Sequence, residues 1–219
     1  MQEIAVSISD FALAALAAGL TYRLSGRNTE LVRVQKWFGM TLGAVAVSAF
    51  LGGIAHGFLP ETTLAGILVW RATLISIGVA AYSTLMIAAL LLYRPGTVER
   101  VRWLGLGLFA IYVGIILFET HDFAAALTFY VPTSVLLLIA FVVRWRRESD
   151  EFALDGIIAI ALTLIAGTLQ HFRVAIHPVY FDHNVLYHVV QGFGVIILYR
   201  SGSRWLNGAE KPELQPRAA

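Results

Sequence analysis

Six histidines lie near the ends of apolar stretches or in the loops beside them: His56, His121, His171, His177, His183 and His188. Neutral imidazole binds metals, accepts and donates protons, and titrates near neutrality, so the relative placement of these six decides what chemistry is open to them. Asp10, Arg71, Glu119, Asp122, Gln170 and Gln191 stand in or beside the same apolar sequence. Ionisable groups in such sequence are costly, face a polar interior or one another, and mark function. His183 and His188 are five residues apart. On a regular helix, positions four apart lie on one face, whereas positions five apart diverge by about 140°. Either His183 reaches a shared site from an irregular first turn, or Asn184, four residues before His188, is its neighbour.

The elements that position these residues are helices in a membrane. The chain has 219 residues, 58% hydrophobic and only 14% charged, against about 25% charged in soluble domains; its mean hydropathy is +0.73. Apolar sequence runs along the whole length. At about 20 residues per crossing, the length predicts an all-α polytopic protein with seven transmembrane helices and no separate soluble domain. The expected helices are 4–24, 37–59, 62–93, 101–119, 122–143, 152–172 and 182–199. Residues 1–205 form the membrane domain, and 206–219 are expected to be a disordered cytoplasmic tail. The first stretch lacks a basic leading region and reads as a retained helix, not a cleaved signal. Pro132 falls inside the fifth helix, which spans tolerate when neighbours satisfy the freed carbonyl. Cysteine is absent, which excludes disulfides, thiolate metal sites and thiol nucleophiles.

Arginine and lysine set the orientation. Fourteen of the sixteen basic residues fall after the first, third, fifth and seventh apolar stretches, leaving only Arg71 and Arg173 elsewhere. The positive-inside rule places that side in the cytoplasm, with the N-terminus outside and the C-terminus inside, in a plasma membrane of bacterial type. Net charge +2 thus reflects topology, and no nucleic-acid partner is expected. On this topology all six histidines lie in the outer half. Asp10, Arg71 and Gln191 lie at a similar depth. His121, His177 and His183 read most simply as loop or interface residues, and Glu119 and Asp122 as solvated acids. His56, His171 and His188 lie within apolar sequence and point to a polar cavity opening outward.

The stretch "YHVVQGFG" at Tyr187–Gly194 resembles the last-helix pattern of the alkaline ceramidases and of the wider seven-helix superfamily that includes the progestin and adiponectin receptors. "GGIAHG" at Gly52–Gly57 places His56 where that superfamily has a second-helix histidine. The resemblance implies a zinc ion held by His56, by His188 and by a third ligand, and hydrolysis of a lipid amide or ester. Asn184 stands where the first of the two last-helix histidines is found, Gly52 stands where the second-helix serine is found, and the third helix offers Arg71 and no aspartate. His183 or His171 would supply the third ligand. Asp10 or Glu119 would act as general base, and Arg71 would steady an anionic group on the lipid.

Other chemistries fit parts of the pattern. Two histidines on different helices can hold one haem axially. A transporter or sensor could use the same His/Asp/Arg layer without catalysis. A retinal Schiff base needs a helical lysine, and Lys36 and Lys211 lie in a loop and in the tail.

Overall fold

The computed structural model describes residues 3–177 and 180–210. Among them the chain forms seven α-helices: α1 (Ile4–Ser25), α2 (Val32–Phe58), α3 (Leu64–Leu92), α4 (Pro95–Phe118), α5 (Phe123–Glu148), α6 (Glu151–His171) and α7 (His183–Glu210). Six of these, α1 to α6, are long and apolar enough to cross a membrane, and the chain is an integral, multi-pass membrane protein. α7 carries polar residues along its whole length, among them His183, Asn184, His188, Gln191 and Arg200, and is not one of these six.

Local sequence explains the ends. The Thr63 hydroxyl accepts from the Gly66 amide at 3.1 Å and opens α3. Pro95 opens α4, where its missing N–H costs nothing. Ser149 takes the left-handed conformation, φ 55°, and ends α5. One carboxylate oxygen of Asp182 accepts from the Asn184 and Val185 amides at 3.0 and 2.9 Å, so this acid caps α7.

Several boundaries lie outside the expected ones. α2 begins at Val32, not 37. Val34 is buried, and the Gln35 side chain donates to the Leu24 and Arg27 carbonyls at 2.9 and 2.7 Å, tying the start of α2 to the end of α1. α7 continues past 199 to Glu210, through the first residues of the expected tail; 211–219 lie outside the described residues. Trp205 stacks on Phe152 at 4.9 Å and meets Phe38 edge-on at 6.0 Å, and Leu206 is fully buried. Apolar packing thus carries the helix beyond the last apolar run.

The helices pack as a closed ring in the order α1, α2, α3, α5, α6, α7 and back to α1. α4 lies outside the ring against α3. Tyr112 of α4 donates to the Leu74 carbonyl at 2.7 Å and stacks on Phe129 of α5 at 5.0 Å, while Trp103, Leu104, Leu108 and Ile111 face outward. The main core joins the ring helices around Phe38, Leu42, Ile87 and Phe141. At the arginine-rich end, buried Asp155 receives Arg200 at 3.0 Å and Arg204 at 2.8 Å.

Candidate functional site

Inside the ring, at the histidine-rich end, is a cavity of about 750 Å³ lined by all six ring helices. That size suits a drug-sized or lipid-like ligand. Of its lining, Glu3, Glu61, His171 and Arg173 are exposed, whereas Ala80, Thr163 and Gln191 are buried. Leu13, Val45, Ile77, Leu127 and Leu164 give it apolar walls.

A largely buried polar contact joins the first helix to the last. His188 Nε2 lies 3.0 Å from Asp10 Oδ1, with the two side chains only 10% and 5% exposed. On the other edge of the ring, His188 Nδ1 lies 2.8 Å from Ser9 Oγ, whose hydroxyl is also 2.8 Å from the Val6 carbonyl. Both imidazole nitrogens are therefore engaged by α1. Asp10 and His188 line the cavity, whereas among the described residues Ser9 does not. The serine therefore holds the imidazole from behind and is not placed to attack a ligand. Asp10 Oδ2 is buried and has no hydrogen-bonding partner among the described residues.

Gly52 explains how the acid fits. A Cβ at that position would lie 3.1 Å from Asp10 Oδ1 and 3.3 Å from Oδ2. Gly52 has no side chain, and the carboxylate of α1 fills the space.

The residues expected from sequence divide into two groups. Asp10, His56, His171, His183 and His188 all line the cavity. His183 does so from the first position of α7, and Asn184 also lines the wall, accepting from Gln170 Nε2 at 3.3 Å. His56 Nδ1 pairs with Glu3 at 3.0 Å, the Glu3 amide donates to the His56 carbonyl at 3.1 Å, and the imidazole meets Trp70 edge-on at 5.6 Å. Glu119 and Arg71 line neither this cavity nor the smaller one beside it. Glu119 is exposed at the end of α4. Arg71 Nε is buried without a hydrogen-bonding partner among the described residues, and Arg71 makes no ion pair there with Asp10 or Glu119. His121 lines a cavity of about 310 Å³ that shares His56, Glu61, Trp70 and Phe123 with the larger one, and its carbonyl accepts from Trp70 Nε1 at 2.8 Å. Sequence reasoning missed Ser9 and Glu3. Nothing in one sequence marks a serine or a terminal acid as a histidine partner when the two lie on distant helices.

A catalytic zinc site needs three protein ligands and an open position. Among the described residues, no group of three or more His, Cys, Asp or Glu side chains is placed to hold a metal ion. Both His188 nitrogens are already bonded, and His56 commits Nδ1 to Glu3. The side chains as placed do not fit the three-ligand zinc that the resemblance implies.

No curated protein and no solved structure matches the chain. A family model covers residues 5–207, nearly the whole helical region, and the chain belongs to that family, described as a family of unknown function, DUF6962.

Proposed function

We propose that the protein is an integral-membrane hydrolase of a lipid amide or ester, with Asp10 as general base and His188 as its partner. The carrying observation is the buried Asp10–His188 contact on the wall of an amphiphile-sized cavity. His188 holds Oδ1, and Oδ2 carries no hydrogen bond among the described residues; once uncovered to the cavity, Oδ2 would take a proton from water as that water attacks the acyl carbon. The C–N or C–O bond then breaks, and the leaving amine or alkoxide takes the proton from Asp10. The products are a fatty acid and an amine or alcohol. A positioned base of this kind contributes about 10²–10⁴-fold. The reaction is written without zinc because the donor set does not gather around a metal.

In the same reading α7 is the seventh crossing, the arginine-rich end lies in the cytoplasm, and the cavity opens to the outside. Its 28 residues exceed the length a crossing needs. Lipid then meets the site from the outer leaflet.

The test is turnover in phospholipid nanodiscs, following fatty-acid release from N-acyl and O-acyl lipids. The parent protein should release acid, and His188→Gln should fall about 100-fold or more. Folded protein that releases nothing would shift the reading to a sensor or transporter. The engagement of both His188 nitrogens favours that second reading, since such a histidine is held and not free to cycle protons.

A further inference from the structure

We infer that an acyl chain of a membrane lipid enters the cavity sideways, between the histidine-rich halves of α5 and α6. This rests on the reading of the cavity as a lipid site and not on turnover there.

The first observation is that α5 changes neighbours along its length. From Leu136 to Phe141 it belongs to the main core, together with Phe152, Ala159 and Ile160 of α6. From Phe123 to Phe129 it belongs to a second core, built with Leu74 of α3 and with Tyr112 and Ile116 of α4, which holds no residue of α6. Pro132 falls between the two, and it removes the amide that would bond the Thr128 carbonyl. Two glycines of α6 record the result. A Cβ on Gly156, toward the arginine-rich end, would lie 2.5 Å from the Phe141 ring, whereas a Cβ on Gly167, on the cavity wall, would meet nothing within 4 Å.

The second observation is what joins the other seams of the ring. Ser7 donates to the Gly53 carbonyl at 2.8 Å between α1 and α2, and His56 meets Trp70 between α2 and α3. Gln170 donates to Asn184 between α6 and α7, and His188 meets Asp10 between α7 and α1. The second core fills the seam between α3 and α5. Between α5 and α6, among the described residues, the links are those of Arg144, which reaches Asp150 at 2.7 Å and lies over the Phe152 ring at the arginine-rich end. No hydrogen bond, ion pair or ring contact joins the two helices nearer the cavity. Val131 of α5 and Thr168 of α6 line the cavity and are also exposed, Val131 by 40%, so this seam faces inward and outward at once. Val135 and Ile165 beside it are exposed as well. Both helices are long and apolar enough to cross a membrane, so the seam meets hydrocarbon. An acyl chain passes such a seam without leaving apolar surroundings, whereas a path through water would hydrate its whole length.

The chain has no cysteine, which permits a clean lock. Val131→Cys with Thr168→Cys is joined by a reducible bis-maleimide in the full-length protein in nanodiscs. The probe is phosphatidylcholine with a diazirine at the end of one acyl chain, and label is mapped by peptide mass spectrometry after photolysis. Before joining, label should appear on Val45 and Ile77, across the cavity on α2 and α3. Joining should lower it at least tenfold, and reduction of the linker should restore it. Label on Val45 and Ile77 that joining leaves unchanged overturns the inference and leaves the lipid-site reading standing. No label there in the unjoined protein overturns both. If the pair does not join, Val131→Trp, which narrows the seam from one side, decides by the same readout, with thermal unfolding to show that it folds. Turnover is not read, so a protein that hydrolyses nothing but takes label through an open seam loses the hydrolase reading only.

Discussion

Ser9 Oγ lies 2.8 Å from His188 Nδ1, although the two residues are 179 positions apart in the chain. The serine hydroxyl has one hydrogen and two possible takers, the Val6 carbonyl and the imidazole. Given to Val6, it obliges His188 to donate from both nitrogens. Given to Nδ1, it leaves Nε2–H as the donor to Asp10. Either way the hydroxyl fixes the ring plane that supports Asp10. Ser9→Ala should lower stability by about 1 kcal/mol and turnover by about tenfold, whereas Ser9→Thr, which keeps the hydroxyl, should restore most of both. Thermal unfolding in detergent and the nanodisc assay read the two effects. An alanine variant with parental turnover would show that the contact only packs.

Gly52 gives a sharper geometric test. A serine there would put a Cβ 3.1 Å from the carboxylate. Overpacking of this kind costs about 1–3 kcal/mol. Gly52→Ser should therefore destabilise the protein and weaken Asp10–His188, while Gly52→Ser with Asp10→Ala should be more stable than the sum of the two single changes predicts. Simple additivity, measured as a double-mutant cycle, would show that the two positions do not compete for space.

Metal content follows from the donors. Purified protein should carry well under one equivalent of zinc by elemental analysis, and His56→Ala and His188→Ala should not change that figure. One equivalent in the parent, lost in both variants, would mean that His188 gives up α1 to bind metal.

Topology can be read independently of the site. A reporter fused to the C-terminus should behave as cytoplasmic and one at the N-terminus as external. The reverse result would invert the side from which lipid reaches the cavity.

The architecture was readable because its causes are local. Apolar runs and breaks at residues such as Pro95 and Asp182 each act within a few residues. The site was readable only in part. Asp10 and His188 stood out as ionisable groups in apolar sequence, and both reach the cavity. Their pairing with each other did not, because it depends on α1 and α7 closing the ring. Arg71 and Glu119 share the inferred depth of the site yet lie off its lining, since depth along a helix says nothing about which side a residue takes. The Asp155–Arg200–Arg204 cluster stayed hidden for a related reason. Those arginines read as terminal anchors, and only the packing of α6 on α7 gives them a buried acid.

The position of α4 outside the ring has a consequence of parity. α3 ends at the arginine-rich end and α5 begins at the histidine-rich end, so the chain must be carried back across before α5 can start. α4 is that return stroke, and among the described residues it adds nothing to the lining of the larger cavity. Tyr112 and Ile116 hold it against its neighbours, and its presence is compulsory. Excising it would make α5, α6 and α7 enter upside down, delivering His188 to the opposite face from Asp10 and dismantling the site without altering a single residue in it.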